Sequence, residues 1–273
     1  THKYSPSDCS VADVDGDGDY ELILKWDAHN SHDNAHTGFT DPTYLDCYDL
    51  NSPEDSCKLL WRICLGKNIR SGAHYTQFLA YDFDGDGKAE LACKTAPGTI
   101  DGQGKAVLLA GDDKDADYVG KEGRVTGMIV DGPEYLTVFK GDTGEEIATG
   151  PYIPGRKDID DWGDDHFNRS ERYLACVAYL DGEHPSMVFC RGYYTQSNIA
   201  AFDFDGKNIK LRWLYQSLKR GKDEAYGQGA HSVAVGDVDN DGCDEIIYGS
   251  ATIDHNGKFM SSTGLGHCDA LHL

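Results

Sequence analysis

The sequence predicts an all-β protein, a β-propeller built of four-stranded antiparallel blades. Three observations carry that expectation. Short apolar, strand-forming segments recur through the 273 residues with no long amphipathic helix between them. A D-x-D-x-D-G loop returns three times, each time between two such segments. The segments group in fours, in units beginning near residues 7, 73, 171 and 229.

The first unit, near 7–66, opens with "SVADV", passes through an acidic loop into "LILKW", and closes with the pair in "TYLDCYDLNSPEDSCKLLWRICL". The second, near 73–150, repeats this with "TQFLAYD", "LACKT" and "EYLTVFKGDTGEEIATG". The third, near 171–216, keeps the strands ("YLACVAYLDGEHPSMVFCRGYY", "IAAFDFDGKNIKLRWLY") but retains only Asp181 of the acids. The fourth, near 229–262, runs from "SVAVGD" to "ATIDHNGKFMSS". The final "GHCDALHL", 266–273, reads as the first strand of a next blade. The chain is therefore expected to cover about four blades plus the start of a fifth, with the remainder of the propeller as a partner.

The repeated loop is acidic at positions 1, 3, 5 and 9: Asp13, Asp15, Asp17, Glu21; Asp82, Asp84, Asp86, Glu90; Asp237, Asp239, Asp241, Glu245. Like charges this close repel unless a cation sits among them, and an oxygen-only donor set suits Ca²⁺. Glycine follows position 5 each time (Gly18, Gly87, Gly242), where a tight turn needs it. Position 7 varies (Asp19, Lys88, Cys243), as expected of a ligand donated by the backbone carbonyl. An EF-hand needs an acid at position 12 leading into a helix. Position 12 is Leu24, Cys93 or Tyr248, and strand formers follow. The expectation is at least three structural Ca²⁺ ions, each in a loop between two strands; the alternative is an acidic turn without metal.

The formal charge is −22, from 47 acids against 25 bases, so nucleic acid is excluded as a partner: nothing basic is present to displace its counterions. No run of 18 apolar residues exists to cross a membrane. The N-terminal "THKYSPSDCS" does not resemble a signal peptide, as in a mature secreted chain, and an extracellular or cell-surface location is expected. Nine cysteines without a C-x-x-C pair give no zinc spacing; most read as small buried apolar residues, and Cys47 with Cys57 is the pair to check for a disulfide.

In a propeller the strand 1–2 loops share one face, so the acidic loops read as structural. The strand 2–3 loops and the blade connections share the other. There the sequence collects His29, Asn30, His32, Asp33, Asn34 and His36, a long segment from Lys94 to Gly132, and connections such as "LGKNIRSGAHY" and "DEAYGQGAHS". His74, His231 and His267 each precede a first strand and are expected to converge at the channel mouth; the plainer reading is that each bonds local backbone. Asn68, Arg70, His74, His231, His267 and Asp269 are the cleft candidates, with Lys94 and Arg191 near the same face.

Long stretches support a more specific reading. "GDGDYELILKWD", "LGKNIRSGAHYTQF", "DGDGKAELACKT", "GPEYLTVFKGDTGE", "DWGDDHFNR", "GYYTQSNIAAFDF" and "STGLGHCDALH" resemble the rhamnogalacturonan lyases of polysaccharide lyase family 11, in order and over nearly the whole chain. The chain is similar to roughly the N-terminal half of that family's propeller. The resemblance implies an eight-bladed, calcium-rich ring and cleavage of the rhamnose–galacturonate backbone of rhamnogalacturonan I by β-elimination. It also implies that the rest of the propeller holds further cleft residues, including histidine ligands of an active-site calcium. Two departures are Ala230, where the family has Asn, and Cys268, where it has Gly. The segments 51–57 and 105–130 are longer than the family pattern.

Elimination removes the C5 proton of galacturonate, next to a carboxylate whose charge resists it. A cation on that carboxylate lowers the barrier and lets an acidic protein hold an acidic polymer. Two other functions are compatible with the loops: a non-catalytic calcium propeller that binds glycans or proteins, and an inactive fragment of a lyase.

Overall fold

A computed structural model describes residues 3–51, 57–220 and 224–273. They form four four-stranded antiparallel sheets, with two short 3-10 turns as the helical content. The first sheet is β1 (Tyr4–Ala12), β2 (Glu21–Ala28), β3 (Tyr44–Asp49) and β4 (Lys58–Cys64). The second is β5 (Phe78–Tyr81), β6 (Glu90–Thr95), β7 (Tyr135–Lys140) and β8 (Glu146–Pro151). The third is β9 (Tyr173–Ala178), β10 (Ser186–Arg191), β11 (Ser197–Phe204) and β12 (Ile209–Ser217). The fourth is β13 (Ala234–Gly236), β14 (Glu245–Tyr248), β15 (Ala251–Ile253) and β16 (Phe259–Ser262). In each sheet the spatial order follows the chain order. Residues 266–273, where a further strand is expected, hold one isolated bridge between Cys268 and Ala230.

The chain divides into two compact units, Thr1–Tyr152 and Ile153–Leu273, each holding two sheets. In the first, Ile23, Leu45, Cys47 and Ile63 of one sheet pack with Leu91, Cys93 and Phe139 of the other. In the second, Val188, Cys190, Ile199 and Ala201 pack with Ile246, Tyr248 and Ile253. The middle strands are covered on both faces: β6 and β10 are buried throughout, and β7 in all but its last residue. That is why their sequences are nearly continuously apolar, while β2 alternates. The fourth strands β4 and β12 are largely open.

One irregularity repeats in all four sheets. The register between the third and fourth strands shifts at Cys47/Tyr48, Val138/Phe139, Ala201/Phe202 and Thr252/Ile253. A bulge there adds twist at the outer edge of each sheet. A tryptophan tie repeats in both units. Trp61 of β4 donates its indole N–H to the Gly141 carbonyl (2.6 Å), and Trp213 of β12 donates to the His255 carbonyl (2.8 Å). All nine cysteines are free, so Cys47, in the core, and the exposed Cys57 form no disulfide.

Candidate functional site

Each D-x-D-x-D-G loop joins the first and second strands of its sheet, and all three close on the same hydrogen bonds. The first aspartate accepts from the N–H of position 4 at 2.7 Å in every copy (Gly16, Gly85, Asn240). It also accepts from position 6, at 2.9, 3.0 and 3.1 Å (Gly18, Gly87, Gly242). The third-position aspartate accepts from position 5, and the fifth-position aspartate from the N–H of Asp19, Lys88 or Cys243. The glutamate folds back to accept from position 2: Val14 at 3.0 Å, Phe83 at 2.9 Å and Val238 at 2.9 Å. Position 6 lies at φ +92°, +91° and +93°, a conformation that favours glycine.

These bonds use one oxygen of each inner aspartate and one of the glutamate, so the others are left to face inward. Side-chain oxygens of Asp13, Asp15 and Asp17 lie within 4.8 Å of one another, as do those of Asp82, Asp84 and Asp86. The glutamates are buried. Burial, reinforced by the neighbouring aspartates, pushes Glu90 up to about 7 and raises Glu21 and Glu245. Charged carboxylates held together in this way need a compensating cation, and an all-oxygen set suits Ca²⁺.

The cleft candidates divide between the units. In the second unit the fold brings His231, His267 and Asp269 together, with ligand atoms within 4.8 Å of one another. The imidazole centroids are 5.0 Å apart. Tyr193 stacks on His267 (5.5 Å, 10° between planes), and the Tyr194 hydroxyl lies 3.2 Å from His231 Nε2. Asp269 Oδ1 is 3.8 Å from the same nitrogen, on an almost fully exposed side chain. The His267 Nδ1–H donates to the Gly229 carbonyl at 2.7 Å, which leaves Nε2 as the lone-pair nitrogen. Gly229 is required there: a Cβ would lie 2.4 Å from the Tyr193 Cβ. The two departures noted in the sequence, Ala230 and Cys268, form the bridge that brings the histidine strands alongside each other.

In the first unit His74 Nε2 lies 3.6 Å from Asp33 Oδ2. Asn68 and Arg70 are 2% and 3% exposed and turn inward. Asn68 donates to the carbonyls of Pro97 and Ala116 and accepts from the Tyr118 N–H. Arg70 donates to the carbonyls of His32, His36, Gly38 and Gly127, and burial lowers its pKa. Both pin loops instead of presenting their polar groups to solvent. Lys94 pairs with Glu134 at 2.8 Å, and Arg191 with Glu171 at 2.7 Å, both buried. A shallow cavity of about 150 Å³ beside these loops is lined by Phe39, Lys67, Asp117 and Lys121.

Sequence reasoning did not single out Tyr193 and Tyr194, although the tandem "YY" before a strand was a signal for them. It also missed His255, which reaches the third loop from the β15–β16 turn: its Nδ1 lies 3.1 Å from Asp241 Oδ2. The third sheet, which lacks the acids, uses an arginine. Arg212 donates to Asp181 at 2.9 Å and to Asp203 at 2.9 Å, and Asp181 also accepts from the N–H groups of Glu183 and His184. Although burial alone raises the Asp181 pKa, these donors hold it well below the usual carboxylate range.

A family model described as rhamnogalacturonan lyase family 11, C-terminal domain, matches residues 1–273. The chain is 53% identical over 272 residues to the rhamnogalacturonan exolyase YesX of Bacillus subtilis (strain 168), a match covering 100% of this chain and 42% of the relative. It is 54% identical over 273 residues to the rhamnogalacturonan endolyase YesW of the same organism, with the same coverage. Among solved structures it is similar to exotype rhamnogalacturonan lyase YesX (TM-score 0.91, 54% identity, 99% of this chain and 43% of that one). It is also similar to the Bacillus licheniformis rhamnogalacturonan lyase PL11 (TM-score 0.92, 54% identity, 99% and 44%). The chain thus spans less than half the length of these relatives.

Proposed function

This chain belongs to rhamnogalacturonan lyase family 11, and from that premise we propose that it is part of a calcium-dependent extracellular enzyme that cleaves rhamnogalacturonan I by β-elimination. The single observation that carries the reading to particular residues is the group of His231, His267 and Asp269 with Tyr193 and Tyr194. The sheets are then blades of a propeller completed by further chain.

In the elimination a base removes the C5 proton of galacturonate. The C–H electrons form the C4=C5 double bond, the C4–O bond breaks, and the departing sugar oxygen takes a proton. His267 Nε2 is available as a lone pair because Nδ1–H is committed to a carbonyl. The tyrosine rings offer a face to a sugar ring, and Asp269 can hold a cation beside the histidines. A divalent ion there would withdraw charge from the uronate carboxylate. The first unit contributes His74–Asp33 and the lysine-lined cavity, a cationic surface for polymer carboxylates in an otherwise acidic protein. The D-x-D-x-D-G loops serve stability, since their ligands are used by their own ions.

The test is the ultraviolet absorbance of the unsaturated uronate product after incubation with rhamnogalacturonan, with calcium and with chelator. Growth of that absorbance, its loss in chelator, and its loss in His267→Ala at an unchanged melting temperature would support the reading. If His267→Ala and His231→Ala both retain full turnover in the complete enzyme, the site is placed wrongly. Binding of the polymer without product by the complete enzyme would instead favour the glycan-binding alternative.

A further inference from the structure

The three acid loops share one hydrogen-bond cage, but the third has a different set of donors. In the first unit the carbonyl that takes the tryptophan N–H belongs to Gly141, which has no side chain. A Cβ there would lie 1.9 Å from the Ala89 carbonyl oxygen, next to the second loop. In the second unit the corresponding carbonyl belongs to His255. The Trp213 bond fixes that residue's backbone, and its imidazole projects into the 237–245 loop.

Its Nδ1 lies 3.0 Å from Asp254 Oδ1, 3.1 Å from Asp241 Oδ2 and 3.8 Å from Glu245 Oε1. Despite these distances Nδ1 makes no hydrogen bond. Nor does Glu245 Oε1, which is buried without a partner while Oε2 takes the Val238 N–H. Two orphaned atoms, one of them fully buried, therefore face one point among carboxylates. Cys243 adds a sulfur: its Sγ, the Asp241 carboxylate and the His255 ring nitrogen lie within 4.8 Å of one another, as do the ligand atoms of Glu245, Asp254 and His255. Separations of about 3 Å are those of neighbouring ligands around one ion. Calcium takes oxygen and avoids imidazole, whereas a borderline first-row ion prefers nitrogen and sulfur.

We propose that the 237–245 loop is a site for a borderline divalent ion of the zinc class, with His255 Nδ1, Asp241, Glu245 and Asp254 as ligands and Cys243 at its edge, while the 13–21 and 82–90 loops take calcium. The assignment does not depend on whether the protein cleaves polysaccharide. It makes the third loop the one that calcium alone cannot fill with full affinity.

The test uses the chelator-stripped chain and Co²⁺, a spectroscopic stand-in for Zn²⁺. The His231–His267–Asp269 group can take the same probe, so His255→Gln and His267→Gln are titrated beside the parent. One Co²⁺, with visible bands of nitrogen ligation, should remain in the His267→Gln protein under roughly a 100-fold excess of Ca²⁺. His255→Gln should lower affinity at that site by about 100-fold and let calcium enter. Equal Co²⁺ affinity in His255→Gln and parent, or displacement from this site by equimolar calcium, overturns the proposal; the imidazole would then be only a neighbour of a calcium loop. If His255→Gln fails to fold, Asp254→Asn reads the same site, and an unchanged Co²⁺ titration there is equally contrary.

Discussion

The 82–90 loop and the 179–186 turn occupy the same place in their sheets, yet they neutralise charge in different ways. The first gathers Asp82, Asp84, Asp86 and Glu90, with no basic side chain among its hydrogen-bond partners. The second keeps Asp181 and satisfies it with Arg212, which also holds Asp203. Both turns are closed by backbone N–H groups donating to an aspartate. The difference lies in where the cation comes from. A guanidinium is covalently attached and always present. A calcium ion is exchangeable, so a turn that depends on one couples stability to the solution.

Chelation should therefore have the largest effect. An ion present at about 100 times its dissociation constant contributes roughly 2.7 kcal/mol per site, so stripping several loops should cost several kcal/mol and lower the melting temperature markedly. Hydrogen exchange should rise at 13–21 and 82–90 and stay unchanged at 179–186. Equal exchange in both regions would erase the distinction.

Next is Asp84→Ala. With calcium it should cost about 3 kcal/mol in thermal or denaturant unfolding, because its neighbours are left under-compensated. In chelator the same change should cost little, since it removes one of the repelling carboxylates. A cost independent of calcium would assign the aspartate to the hydrogen-bond cage alone.

The pH dependence has a definite sign. In the ion-free protein Glu90 is raised from 4.5 to about 7, by burial first and by its aspartate neighbours next. A raised carboxylate contributes stability that is fully present below its unfolded pKa and is lost as pH rises through the folded one. Chelated protein should lose on the order of 2 kcal/mol between about pH 4.5 and 7 from this group. With calcium the slope should reverse, because the ion must displace that proton. The same slope in both conditions would contradict a site at Glu90.

Arg212→Ala should have the smallest effect. The pair is partly exposed, so a loss of about 1 kcal/mol is expected. It should be identical with and without calcium. A calcium-dependent loss would mean that the two turns are not independent devices.

Much of this contrast is legible in the chain. The strands follow from alternation and from continuous apolar runs, and the three loops from identical spacing of acid and glycine. These are local patterns, and local backbone geometry realises them. What the sequence could not reveal depends on distant partners. Arg212 lies 31 residues from Asp181, and His255 enters its loop from a different turn. Asn68 and Arg70 look like cleft residues because they are polar and sit in a loop. The fold uses them to satisfy buried carbonyls, an accounting that becomes visible only once the loops are placed. His231 and His267 were read individually as neighbours of first strands; their pairing rests on the Ala230–Cys268 bridge, which no periodicity announces.

The central claim is tested most directly by a crystal structure grown in calcium, with anomalous scattering to locate ions. The account predicts an ordered cation in each of the 13–21, 82–90 and 237–245 loops, bound through the inward-facing carboxylate oxygens, and none at Asp181. Acid loops without ions in saturating calcium, or an ion bound between Asp181 and Asp203 in place of Arg212, would contradict it.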